Sequence, residues 1–563
     1  MPRRGALLVL ALLGTACPDD GGGEGADEGG TDAATSGGSE GDGSGGSAGS
    51  AADGTSGLDT SGGADADETG SDETGGGPGP EVLCDADGFE ADGRAWSLPE
   101  MRFPLEDYAD APNEQLAGSW QCTNGQQYQH NLLDLTGDGV TDFLVRDACD
   151  EGGVGEENWL VFPGGTDGFG EATAWSLPAL EFPLEAYPDT PLEQLVGSWQ
   201  CTNGQQYQHT VMDMTADGRP DLLVRDACDE GGVGEETWLL YPGEDGGFGG
   251  PQPWTLPALE FPLEAYPDTP LEQLAGSWQC TNGQQYQHTV MDMTADGRPD
   301  LLVRDACDEG GVGEENWLLY PGEDGGFGDP QPWSLPALTF PLEAYPDTPL
   351  EQSAGTWQCT NGQQYQHTML DVNGDRWPDL LVTDACDEGG VGEENWLLYP
   401  GGEGGFGAPG PWSLPALEFP LEAYADAPLE QLSGNWQCTN GQQYQHSVMD
   451  VTGDRILDLL VRDACDEGGV GEGQWLVYAG GEDGFAADPF AWALPELSLP
   501  LEDYADTTLE QLAGTWQCTN GQQYSHTVLD LSADGAIDLV VHDACDEDGV
   551  GATQWLLFDG LCG

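Results

Sequence analysis

The sequence predicts an all-β chain: a six-bladed β-propeller of repeats about 79 residues long, closed by an N-terminal strand that completes the last blade. Three observations carry this prediction. First, "WQCTNGQQY" or a close variant occurs six times, and its cysteines Cys122, Cys201, Cys280, Cys359, Cys438 and Cys518 are evenly spaced, with a single extra position before the last. A period this constant marks a repeat architecture. Second, each repeat holds about four short strand-like runs, for example "QYQHTVMDM", "DLLVRDA", "NWLLYPG" and "GGFGDPQPWSLP", punctuated by Gly, Asp and Pro. Arrays of about four short strands are the units of a propeller. Third, the two ends of the chain complement each other. "CDADGFEADGRAWSLP", from Cys84, matches the end of a repeat such as "GTDGFGEATAWSLP", and the final repeat stops at "QWLLFDGLCG", where that piece is due. An open solenoid is the alternative, but it gives no reason for a split repeat.

Three regions follow in chain order. Residues 1–17, "MPRRGALLVLALLGTAC", carry Arg3 and Arg4, a short apolar run and small residues before Cys17. The run is too short for a stable span, and the arrangement is that of an export signal. It resembles a bacterial lipoprotein signal, which implies lipidation at Cys17; Leu13 lies one place further from the cysteine than that pattern prefers, and ordinary cleavage near Ala16 is the alternative. Residues 18–83 are rich in Gly, Ser, Asp and Thr and contain no aromatic residue. Such a composition cannot bury enough apolar surface to offset ordering entropy and reads as a disordered tether. An ideal chain of that length spans roughly 40–50 Å, more with charge repulsion. Residues 84–563 hold the repeats. Within them, the segment from "LEFPLEAY" to "GSWQC" is least clear, a loop with one helical turn at "PLEQL".

The formal charge is -91, from 103 acidic and 12 basic residues with no lysine. Phosphate binding needs a positive surface, so nucleic acid is excluded as a natural partner. Self-repulsion of this size calls for screening by salt or bound cations. Of the 15 cysteines, 14 remain after Cys17, an even number suited to an exported protein. Each repeat has two, always at the same separation: Cys122/Cys149, Cys201/Cys228, Cys280/Cys307, Cys359/Cys386, Cys438/Cys465 and Cys518/Cys545. They flank the two strands of a predicted antiparallel hairpin, whose ends are neighbours, so a disulfide within each repeat is expected. A zinc site such as Cys122, His130 and Cys149 is the other reading; it lacks a clear fourth ligand. Cys84 and Cys562, one at each end of the repeat region, are expected to pair and lock the ring.

Between those strands each repeat carries D-x-[T/N/S]-x-D-[G/R]-x-x-D. Its oxygen-bearing residues at positions 1, 3, 5 and 9 are Asp134, Thr136, Asp138 and Asp142; Asp213, Thr215, Asp217 and Asp221; Asp292, Thr294, Asp296 and Asp300; Asp371, Asn373, Asp375 and Asp379; Asp450, Thr452, Asp454 and Asp458; Asp530, Ser532, Asp534 and Asp538. Alternating spacing of this kind wraps oxygens around a hard cation, and Ca²⁺ is the expected occupant. Three carboxylates held this closely repel one another without one. The alternative is a metal-free Asp/Gly turn. The loop is not an EF-hand, because the twelfth-position Glu is missing and the flanks read as strands.

The loop, the "DLLV" that follows and the later "GGFG" resemble the FG-GAP or VCBS repeats of integrin-α-like propellers and bacterial surface proteins. The resemblance implies a calcium ion in the hairpin loop of each blade. It covers the larger part of each repeat and leaves the segment from "LEFPLEAY" to "GSWQC" unexplained. This chain departs from that pattern at position 3, usually Thr here rather than Asp or Asn. It departs again at Arg376 and Arg455, which replace the turn glycine and make those loops the least secure, and at Gly484-Phe485-Ala486 and Gly88-Phe89-Glu90, where the phenylalanine motif decays.

The histidines His130, His209, His288, His367, His446 and His526 recur once per repeat, as do nearly all polar residues. Catalysis needs one asymmetric constellation, so they read as buried strand residues rather than bases, and no catalytic residue is assigned. Tryptophans such as Trp278, Trp317 and Trp333 read as packing residues. The sequence thus points to an exported, lipid-anchored, monomeric propeller on a bacterial cell envelope. It would bind an extracellular or periplasmic protein or glycan, as an adhesion module rather than an enzyme. The alternatives are a repeat lectin with one sugar site per blade around "SWQCTNGQQY", an enzyme with a central-channel site, and a structural spacer.

Overall fold

A computed structural model describes residues 88–561, apart from the segments 101–117, 185–196, 264–275, 343–353, 422–433 and 502–513 and a few short loop positions. The signal, the tether, "PLEQL" and the pair Cys84/Cys562 lie outside the described residues. All regular structure that is described is β, arranged as six sheets in a six-bladed propeller.

The first blade shows the plan. Strands β2 (Gly118–Gln121), β3 (Gln127–Leu133), β4 (Asp142–Ala148), β5 (Asn158–Phe162) and β6 (Thr173–Ser176) form an antiparallel meander in that order. Each blade is therefore a meander of five strands, not the expected four. The addition is the "GSWQ" edge strand, too short and polar to be recognised as a strand. "GGFGDPQPW" also divides. Gly247–Phe248 pairs in parallel with the preceding blade at Ser176, and Gln252–Thr255 joins its own. The central strand, β4 and its counterparts, is buried at all seven positions, because it is covered on both faces by neighbouring blades.

Six apolar clusters lie between consecutive blades. The last combines Leu531, Val540 and Trp555 of the sixth blade with Tyr128, Phe143 and Val145 of the first, so the ring is closed. One phenylalanine per repeat reaches into the blade before it. Phe248 sits edge-on to Trp159 and Trp175, with centroids 5.6 and 5.8 Å away. Phe327, Phe406, Phe485 and Phe169 do the same around the ring. The glycine before it permits the approach: a Cβ on Gly247 would lie 2.7 Å from the Ser176 carbonyl oxygen.

The N-terminal segment completes two blades. Strand β1 (Arg94–Ser97) pairs with Gln554–Phe558 as the fifth strand of blade six. Ahead of it, Gly88 bridges Ala493 and Phe89 packs edge-on to Trp475 and Trp492 of blade five. Although Glu90 replaces the glycine that follows it, Phe89 keeps Gly88 before it and acts like the other five. Arg94 clasps the seam. Its Nε and Nη2 donate to the two carboxylate oxygens of Asp559, both at 2.7 Å, and Nη1 donates to the Thr166 carbonyl at 2.8 Å.

Candidate functional site

The aspartate loops occupy the β3–β4 turn and its counterparts, at one end of every blade. The ninth-position aspartate opens the central strand and is fully buried in all six blades. Asp142 Oδ2 accepts the N–H groups of Leu135 and Thr136, both at 3.0 Å, and Oδ1 accepts that of Gly164, also at 3.0 Å. The last contact explains the glycine of "NWLLYPG". On its counterpart Gly243, a Cβ would meet the Pro220 carbonyl oxygen at 2.5 Å.

The first-position aspartate braces the turn. Asp134 Oδ1 accepts from Gly137 and Asp138, and Oδ2 from Gly139, at 2.8–3.2 Å. The fifth-position side chain caps the exit, as Asp138 Oδ1 accepts from Val140 at 2.9 Å. The sixth position needs a left-handed backbone. Gly139 has φ 87°, and Arg376 and Arg455 are forced to 77° and 75°, conformations that disfavour a side chain.

Burial pushes Asp221, Asp300, Asp379, Asp458 and Asp538 up to about 7 and Asp142 to about 6. Hydrogen bonds from main-chain N–H groups pull the other way, and repulsion from the first- and fifth-position aspartates adds to the rise. Asp292, Asp450 and Asp530 are likewise raised to about 6, first by burial. Each loop thus concentrates carboxylates that resist full ionisation. The third-position hydroxyls of Thr136, Thr215, Thr294 and Ser532 are shielded from solvent and have no hydrogen-bond partner. Among the described residues no three His, Cys, Asp or Glu side chains converge as a metal cluster, since the first- and ninth-position carboxylates are turned to main-chain N–H groups. The oxygen types at positions 1, 3, 5 and 9 are those a hard cation takes, but as arranged here the first- and ninth-position carboxylates close the turn through main-chain N–H groups and leave the third-position hydroxyl as the unmatched oxygen.

The cysteines pair as Cys122–Cys149, Cys201–Cys228, Cys280–Cys307, Cys359–Cys386, Cys438–Cys465 and Cys518–Cys545, with Cα atoms 5.7–5.8 Å apart. This removes the zinc alternative and indicates an oxidising environment, as in the extracellular space or cell envelope. The recurrent "DAC" has a reason that spacing did not reveal. The second cysteine of each pair is left-handed, with φ of 58–60°. Its N–H is held by the aspartate two residues earlier, as from Cys149 to Asp147 Oδ1 at 3.0 Å.

His209, His288, His367, His446 and His526 are buried, and Trp317 and Trp333 are packing residues 1% exposed. A β-bulge in every blade adds one residue opposite the histidine, Arg146 in the first, whose Nη2 donates to Gln129 Oε1 at 3.4 Å. That polar belt was not anticipated, because the alternation of the strand breaks at the bulge. The side chains of Trp278, Asn282 and Gln284, central to the lectin reading, lie outside the described residues.

No protein-family model matches the chain, and no curated protein matches it. Among solved structures, the Tc holotoxin pore of Photorhabdus luminescens is similar over 76% of this chain at 14% identity and a TM-score of 0.37. This chain spans 14% of that one.

Proposed function

We propose that the chain is an exported, lipid-anchored β-propeller of the bacterial envelope that binds calcium in its aspartate loops and serves as a binding module for a protein or glycan. The observation that carries the calcium reading is the recurrence, in all six blades, of carboxylates at positions 1, 5 and 9 together with a third-position oxygen that in most loops is an unmatched hydroxyl. The oxygens at positions 1, 3, 5 and 9 would hold the ion, the first- and ninth-position carboxylates giving up main-chain N–H contacts to do so. Bound calcium would supply charge neutralisation and fix the loop. The binding role is supported by the propeller fold and by the near six-fold repetition of polar residues, which offers a multivalent surface rather than one asymmetric constellation.

The test is a thermal melt of residues 84–563 with calcium and with excess chelator, alongside metal analysis of untreated protein. A ligand bound only by the folded state at a hundred times its Kd adds about 2.7 kcal/mol per site, so several loaded loops give a large upward shift. No shift, together with no calcium in the untreated protein, would leave the loops as plain turns.

A further inference from the structure

The residue added by the β-bulge lies on the face of the central strand that meets the following blade. Leu144, two positions before Arg146, belongs to the apolar cluster shared by blades one and two, and its counterpart Leu381, two before Thr383, to that shared by blades four and five. The bulge residue is Arg146, Arg225, Arg304 and Arg462 in four blades, His542 in the sixth and Thr383 in the fourth. The four arginines are 3–4% exposed. The histidine of the next blade stands across each seam: burial, and then the arginine of the preceding blade, hold His209 and His288 down to about 3.

Where arginine is present, its surroundings receive a guanidinium. Nη2 of Arg146, Arg225 and Arg462 donates to Oε1 of Gln129, Gln208 and Gln445, each at 3.4 Å. The next residue in the strand is always an aspartate, 1–2% exposed. Burial lowers Arg146 to about 10 and the charge of Asp147 opposes that fall, so the arginine stays protonated inside the seam.

Blade four keeps these surroundings without the arginine. Gln366 lies opposite Asp384 in the register that Gln129 and Asp147 share, and Asp384 Oδ1 accepts the Cys386 N–H at 3.1 Å as in the other blades. Thr383 ends at its Cγ2 methyl, where arginine continues to a guanidinium. The residues facing blade five are correspondingly more open. Gln366 is 8% exposed against 3% for Gln129, Gln208, Gln287 and Gln445, and Thr368 is 5% exposed against 0–1% for Thr210, Thr289 and Ser447. Across this seam His446 meets no arginine of the preceding blade; burial, and then Arg462 of its own blade, hold it at about 4.

We infer that the seam between blades four and five binds a small guanidino compound, whose guanidinium takes the place that arginine side chains fill in the sister seams. Asp384 supplies the opposite charge and Gln366 Oε1 an acceptor. A guanidinium is planar and weakly hydrated, so it gives up water more readily than an ammonium and meets a carboxylate through its fork. The slot therefore discriminates against amines and alkali ions. Its walls are at most 8% exposed, which admits a slender compound rather than an arginine carried on a protein surface. The formal charge of -91 draws such cations to the protein. The calcium reading plays no part in this inference.

Thermal melts of the full chain in about 0.15 M NaCl, which screens the surface charges, provide the test. The probes are methylguanidinium, methylammonium and the tripeptide Gly-Arg-Gly, each at about 10 mM, too dilute for a guanidinium salt to denature. Methylguanidinium should raise Tm saturably, by about 1 °C or more; the other two should not. Thr383→Arg, which restores the residue of four sister blades, should lose this response. Arg225→Thr should build a second slot, so methylguanidinium should raise its Tm further than that of the wild type. Either variant suffices if the other fails to fold. A wild-type rise no larger than that with methylammonium overturns the inference, as does a response that survives in Thr383→Arg or fails to grow in Arg225→Thr. An equal rise with the tripeptide overturns the restriction to small compounds.

Discussion

Arg376 and Arg455 each stand where the other four loops have glycine, and their φ values of 77° and 75° show that the backbone did not change to suit them. A non-glycine residue there costs about 1–2 kcal/mol, offset in part by the extra freedom glycine gives the unfolded chain. Arg376→Gly should therefore stabilise the protein by about 0.5–1 kcal/mol, read as a rise in the urea midpoint at constant slope. The histidines make a second prediction at this scale. Burial, reinforced by Arg225 and Arg304, holds His288 down to about 3. Below its unfolded value of about 6.5 the unfolded chain takes up a proton that the folded chain refuses. Stability is therefore lost as pH falls from that value toward 3. The ninth-position aspartates act oppositely. Asp300, raised to about 7, keeps a proton that the unfolded chain releases above about 3.9, so its contribution grows as pH falls through that window. Replacing His288 by Gln isolates one term. The stability of the variant relative to wild type should improve between pH 7 and pH 5, and an unchanged difference in urea midpoints would show that His288 does not titrate this way.

Within the elements, the repeat is held by one inter-blade wedge and one covalent staple. Phe248 is 9% exposed and wedged against two tryptophans of the preceding blade. Phe248→Ala should cost about 3–5 kcal/mol, the range for truncating a buried phenylalanine, measurable by denaturant unfolding. The disulfide joins cysteines separated by 27 positions, so the double change Cys201→Ala/Cys228→Ala should cost about 3–4 kcal/mol in the chain-entropy account. A smaller loss would indicate that Asp226 alone sets the left-handed turn at residue 228. These strands were readable in the sequence wherever an apolar run was bounded by a turn signal. "GSWQ" was not, because a four-residue edge strand has too few apolar positions to show a period. "GGFG" was seen as a motif, but its pairing with the blade before it was not, since parallel contact between repeats leaves no local pattern.

Across the whole molecule, closure rests on the short stretch from Gly88 to Ser97, which serves blades five and six together. Removing residues 84–97 would uncover the edge of Gln554–Phe558 and leave Phe169 without Trp96. An open edge of this kind pairs readily with other chains. The truncated protein should thus elute as oligomers or aggregates at concentrations where the full repeat region is monomeric, and a stable monomer would mean that the apolar seam suffices.

The sequence by itself determined the repeat length, the number of blades, the split last blade, the disulfide partners within each repeat and the position of every aspartate loop. These are matters of period and spacing, which a chain displays directly. Tertiary structure alone decided that Phe89 serves blade five while Arg94–Ser97 serves blade six, that "DAC" secures a left-handed cysteine, and that the second residue of each loop is buried against the next blade. Each of these depends on contact between segments that are distant in sequence or on a backbone conformation, and neither leaves a local periodic trace.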